Sequence, residues 1–132
     1  MQIAQELLDR VVEHARREAP NECCGFVVLE DGRAVEVIPA ENVQASPMRF
    51  EVEPRTLLRV TTEVEDAGRE LAIYHSHTRS EPRPSQTDIR FAGDWPGVQW
   101  LIVGLADGGV DVRNWAIEDG TVSEVEVRVD AG

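Results

Sequence analysis

The dipeptide Asp-Gly stands at 31–32, 107–108 and 119–120, and each copy separates two runs rich in apolar residues. Asp-Gly suits both central positions of a tight hairpin turn, where φ is positive and the chain doubles back after two residues. Such punctuation commits much of the chain to antiparallel β-structure. The first turn joins residues 25–29 to 34–38 as a hairpin. The other two divide the C-terminal part into strands over 99–106, 110–118 and 121–129, which the pattern predicts as an antiparallel meander.

Helices fill the rest. Ile3, Leu7, Leu8, Val11, Val12, Ala15 and Ala19 recur at helical spacing, which predicts an amphipathic helix over 3–19 that ends at Pro20-Asn21. A polar stretch over 39–47 leads to a short alternating strand with Phe50 and Val52. Pro54 then opens a second helix that runs to about Ala67 and is closed by Gly68. Residues 70–75 form a strand entering a polar loop over 76–84, and Ser85 starts a short helix reaching about Ala92. About six strands and three helices, with no internal repeat or linker, indicate an α/β (α+β) fold with a mixed sheet, one domain over residues 1–132. A chain of 132 residues buries roughly two thirds of its unfolded surface and needs no structural metal. Any metal is there for chemistry.

The charge balance narrows the function. Thirteen basic residues, all Arg, against 25 acidic ones give a net charge of −12, which argues against nucleic acid as a partner. Acids are spread through the first 19 residues without a continuous apolar stretch, so this segment is neither a signal peptide nor a membrane span. Cys23 and Cys24 are adjacent, cannot staple distant segments, and flank a buried strand where free thiols pack as small hydrophobes. The expected location is the cytoplasm.

His75 and His77 lie two apart at a strand end, so both imidazoles point to one face and can converge on one ion. Ser85 and Asp88 complete the pattern His-x-His-x7-Ser-x-x-Asp. Two imidazoles and one carboxylate leave the fourth position of a tetrahedral zinc open for water, the arrangement of catalytic zinc. Glu22, an acid just before a buried strand, is the candidate general base. Each piece has a plainer reading: Ser85 and Asp88 are a good helix cap with an acid in the first turn, and a histidine pair near a strand end is commonly just a polar pair. Capping and ligation are compatible, because a cap fixes the Asp88 carboxylate and leaves the Ser85 hydroxyl beside the metal.

Glu22, His75, His77, Ser85 and Asp88 together resemble the JAMM, or MPN-domain, metallopeptidases. The likeness extends over nearly the whole chain, through Glu22-Cys23-Cys24-Gly25, the strand into Tyr74-His75-Ser76-His77, and residues 100–104. The tract from His75 to Asp88 is most similar to the short bacterial Mec-type enzymes, with Thr78 where many relatives carry Pro. The resemblance implies a cytidine-deaminase-like arrangement of a mixed sheet flanked by helices. It implies one Zn2+ per chain held by His75, His77 and Asp88, Glu22 moving the proton of the attacking water, and Ser85 stabilising the oxyanion. It also implies a substrate: a small ubiquitin-like sulfur-carrier protein with a Gly-Gly tail, from which cysteine or another added group is released.

Other readings stay open: the same chemistry on a different ubiquitin-like conjugate or peptide, and a non-catalytic MPN scaffold. The oligomeric state is open as well, a homodimer included. Arg79, Arg83 and Arg90 either hold the carboxylate of the leaving group or belong to a solvated loop. Phe91, Trp95, Trp100 and Trp115 either line a groove for an extended glycine tail or pack in the core.

Overall fold

The structure, a computed structural model, describes residues 1–46 and 51–131. Along the chain run β1 (Gln2–Ala4), α1 (Gln5–Glu18), β2 (Cys24–Glu30), β3 (Arg33–Ala40), α2 (Pro54–Asp66), β4 (Glu70–His77), α3 (Gln86–Ala92), β5 (Gln99–Gly104), β6 (Asp111–Glu118), β7 (Thr121–Val125) and β8 (Arg128–Asp130). Asp31 and Gly32 have φ of 51° and 80°, and Asp119 and Gly120 have 51° and 78°. Both residues of each pair are left-handed, as a two-residue hairpin turn with right-handed strand twist requires. The first turn joins β2 to β3 and the second β6 to β7, each antiparallel. Asp107 and Gly108 are also left-handed, but they sit in a short 3-10 turn between β5 and β6 rather than in a two-residue loop.

The sheet order is β7-β6-β5-β4-β2-β3-β1-β8. It is mixed: β4 pairs with β5 in parallel, as does β1 with both β3 and β8, and the other pairings are antiparallel. The two outermost strands, β7 and β8, are separated in sequence only by Glu126 and Val127. Three Cα steps span at most about 11 Å, whereas eight flat strands would be about 34 Å wide. The sheet is therefore strongly curled. One face packs against α1, which contributes Val11 and Ala15 to a core with Ile3, Val27, Leu29, Ala72, Tyr74 and Leu101. The other face carries Phe26, Ile73, Trp100 and Ile102 under Val60 and Val64 of α2 and Ala92 of α3.

Several boundaries differ from the sequence reading. The chain is extended at Ala4 (φ −68°, ψ 144°), so the helix begins at Gln5 and Ile3 buries itself from a strand. The expected 121–129 strand is split, its last part crossing to β1 at the opposite edge. The meander holds for β5, β6 and β7. Among the described residues there are eight strands rather than about six, the additions being β1 and β8. β3 continues through Ala40, and β4 through His77, so the site loop begins at residue 78. Val52 makes only an isolated bridge to Asn42, and Phe50 lies outside the described residues. Among the described residues no helix is long and apolar enough to cross a membrane.

Candidate metal centre

The register of the central strands assembles the site. Cys24 of β2 lies opposite His75 of β4, so the next same-face position back along the chain, Glu22, falls level with His77. Ser76, between the histidines, points to the opposite face and ties the strands together: its Oγ accepts from Cys23 N–H at 2.8 Å, and its own N–H donates to Cys23 O at 3.3 Å. Glu22 is fixed on its other side, its N–H donating to Ser46 O at 2.8 Å and its carbonyl accepting from Asn42 Nδ2 at 2.9 Å.

Asp88 arrives from α3. Ser85 is the N-cap: its Oγ accepts from Asp88 N–H at 3.1 Å, while Asp88 Oδ2 accepts from Ser85 N–H at 2.9 Å. This reciprocal capping box locks the carboxylate. The capping reading of Ser85 and Asp88 therefore holds, and the capped Asp88 Oδ2 is the same oxygen that faces both histidines. Ser85 itself is exposed, whereas Asp88, His75, His77 and Glu22 are all buried.

The four buried groups converge. Asp88 Oδ2 lies 3.5 Å from His75 Nε2 and 3.4 Å from His77 Nε2, and Glu22 Oε1 lies 3.6 Å from His75 Nδ1. Glu22, His75 and His77 also each offer a donor atom within 4.8 Å of the other two. Donors bound tetrahedrally to zinc at 2.0–2.1 Å are separated by about 3.3–3.4 Å, close to the spacings around Asp88 Oδ2. The residues fit a metal ion: borderline nitrogen donors and carboxylate oxygens, buried together, with two acids to balance a divalent charge.

Electrostatics agree with this. Burial works against ionisation of Asp88, but the charge of His75, the hydrogen bond from His77 and the Ser85 N–H outweigh it and hold the carboxyl at about 2. Burial likewise disfavours the His77 imidazolium, yet Asp88 and the Glu81 carbonyl raise its pKa overall. His77 Nδ1 lies 2.8 Å from the backbone oxygen of Glu81. A carbonyl only accepts, so Nδ1 carries the proton and Nε2 is the nitrogen turned to Asp88.

The remaining candidates sort by burial. Trp100 is fully buried and Trp115 is 7% exposed, so both are core, while Phe91 and Trp95 are half-buried and stack with centroids 6.4 Å apart. Both cysteines are buried, and burial pushes each thiol up to about 12. Arg79, Arg83 and Arg90 are exposed, with the Arg83 guanidinium 5.8 Å from the centre of the Trp115 ring. Two contacts had no signal in the residue pattern: the Glu81 carbonyl on His77, and the Trp115 indole N–H donating to Pro82 O at 2.9 Å.

A curled mixed sheet thus gathers two histidines and two carboxylates where β4 meets the start of α3, a buried donor set that could hold a metal ion. Residues 4–118 match the family described as prokaryotic homologs of the JAB domain, and the chain belongs to that family. It is 35% identical over 131 residues to the CysO-cysteine peptidase of Mycobacterium tuberculosis, covering 96% of this chain and 89% of the relative. It is 34% identical over 123 residues to the desampylase of Haloferax volcanii, covering 87% of each. The solution structure of protein DSY2949 from Desulfitobacterium hafniense superposes with a TM-score of 0.81 at 27% identity, over 100% of this chain and 94% of that one.

Proposed function

We propose that this chain is a zinc-dependent peptidase that hydrolyses the bond after the C-terminal glycine of a small ubiquitin-like sulfur carrier and releases cysteine. The observation that carries the chemistry is the convergence of both histidine Nε2 atoms on Asp88 Oδ2, with Glu22 beside them. The substrate class is supported by the relative named CysO-cysteine peptidase, which aligns over almost the full chain. In this reading residues 1–132 act as one domain in the cytoplasm, where two buried free thiols are at home.

His75, His77 and Asp88 would hold the zinc. When bound, it would polarise the scissile carbonyl and make a water acidic enough to ionise near neutral pH. Glu22 accepts a proton from the attacking water and delivers it to the leaving amine, so that water adds across the amide and no net proton is consumed. Ser85 Oγ already accepts from Asp88 N–H, so its own O–H proton is left to donate to the oxyanion. The relative named desampylase supports a second reading, the same chemistry on a protein conjugate of a ubiquitin-like modifier.

The test is release of cysteine from a sulfur carrier bearing it at the C-terminus, with zinc supplied or chelated, in wild type and Glu22→Gln, with metal content measured in parallel. The proposal expects zinc-dependent release that disappears in Glu22→Gln while zinc stays bound. Stoichiometric zinc without release, together with cleavage of a carrier–lysine conjugate, would move the assignment to the second reading.

A further inference from the structure

We infer that Trp115, on β6, is a positioning residue for His77, acting through Pro82 and the Glu81 carbonyl. The inference rests on the proposed reading, in which His77 is a metal ligand. An imidazole presents one nitrogen in a fixed direction only if its other nitrogen is held, and such outer contacts set both ring orientation and metal affinity. Here the holder is the backbone oxygen of Glu81, in a loop without regular structure whose residues 79–81 are exposed. Taken alone, a loop carbonyl of this kind would not define an angle.

The next residue fixes it. Pro82 is buried, and its ring is seated on Gly104 at the end of β5. A Cβ built on Gly104 would lie 2.9 Å from Pro82 Cδ, and its other nearest neighbours are also atoms of that ring. The Pro82 carbonyl accepts from the Trp115 indole at 2.9 Å in a buried contact. Successive carbonyls of one loop are thus held from two sides, Glu81 by His77 and Pro82 by Trp115, and the proline ring removes a backbone freedom between them. Trp115 is itself wedged in the core cluster with Trp100, Ile102 and Ile117. The sheet interior, through one indole N–H and one glycine, therefore sets the angle of a ligand that lies on another strand.

The test measures zinc affinity of the metal-free protein by competition with a chromophoric chelator, and the ring-nitrogen resonances of His77 by NMR. The variants are Trp115→Phe, which removes the donor, Gly104→Ala, which unseats Pro82 from β5, His77→Ala, and Ile117→Val as a core control on β6. We expect Trp115→Phe and Gly104→Ala each to weaken zinc binding about 10- to 100-fold and to abolish the single Nδ1–H tautomer of His77. Ile117→Val should lower the melting temperature without either change. Wild-type affinity and an intact His77 signature in Trp115→Phe, or in Gly104→Ala should the first fail to fold, would overturn the inference. So would an equal loss of affinity in Ile117→Val, which would mark a general effect of core stability. Full zinc binding in His77→Ala would instead overturn the ligand assignment, a result distinct from failure of the clamp.

Discussion

A methyl group on Gly25 would overlap the Tyr74 ring, so the glycine of Glu22-Cys23-Cys24-Gly25 is there to let that ring cross β2. The ring's hydroxyl then meets His14 Nδ1 of α1 at 2.7 Å. His14 is 5% exposed, and its pKa is lowered by burial first, then by Arg17, with Glu18 opposing. Its folded pKa lies below the unfolded value of 6.5, so between the two the unfolded chain binds more protons and stability falls with falling pH. The contribution is complete above the unfolded value and is lost as pH drops from there through the lowered one. We expect the urea midpoint of the metal-free protein to fall from about pH 7 to about pH 5, and the fall to be shallower in His14→Gln. The raised pKa of His77 acts with opposite sign and above 6.5, where its contribution is lost as pH rises, and it is common to both proteins, so the difference between them isolates His14. Asp88 acts lower, its contribution present above 3.8 and lost as pH falls toward about 2. The convergence of Glu22, His75, His77 and Asp88 was legible as a candidate site because ligand and base chemistry demands particular side chains. His14 was not, because a single polar residue on the buried face of an otherwise ordinary amphipathic helix, beside Val11 and Ala15, reads as a break in the apolar pattern.

Helix α3 carries a double duty that a pair of substitutions can separate. Ser85 both caps the helix and, in the proposed reaction, donates to the oxyanion. Replacing an N-cap Ser by Ala costs about 1 kcal/mol, while Gly at the same position costs only a few tenths. Loss of one oxyanion donor lowers turnover by roughly 10² to 10³. Ser85→Ala and Ser85→Gly should therefore differ in denaturation midpoint and agree in lost turnover. If the Gly variant keeps near-wild-type turnover, the hydroxyl does no chemistry and only the cap matters. At this scale the sequence was most readable where local chemistry decides, as at the two-residue Asp-Gly turns and at Pro54, which opens α2 behind the Glu53 cap. It misled where a residue is buried equally well from two conformations. Ile3 continues the helical period yet is fully buried in β1, and the 121–129 run has strand character throughout but serves two sheet edges.

The order of strands was hidden for a related reason: which edge a strand joins depends on the curl of the whole sheet. The edge strand β8 is tied to β3 through Arg33, whose guanidinium donates to both Asp130 oxygens at 2.8 and 3.3 Å, and to β1 through Gln2 Nε2, which donates to Asp130 at 3.3 Å. These contacts are exposed or only part-buried, and exposed pairs contribute little. Against them stands a net charge of −12, whose self-repulsion favours the expanded chain. The two electrostatic effects respond oppositely to salt, since screening weakens attraction and repulsion alike. With 25 acids to 13 arginines, repulsion should dominate. As the Debye length shrinks from about 10 Å at 0.1 M to about 3 Å at 1 M, the thermal midpoint of the metal-free protein should rise in potassium chloride, a choice that avoids the exclusion effect of sulfate. Neutralising exposed acids on α2, as in Glu63→Gln with Glu65→Gln, should raise the low-salt midpoint and flatten the salt response. A midpoint that instead falls with salt would mean that pairs such as Arg33 with Asp130, which tie β8 to β3 across β1, hold the fold together more strongly than the surplus charge pushes it open.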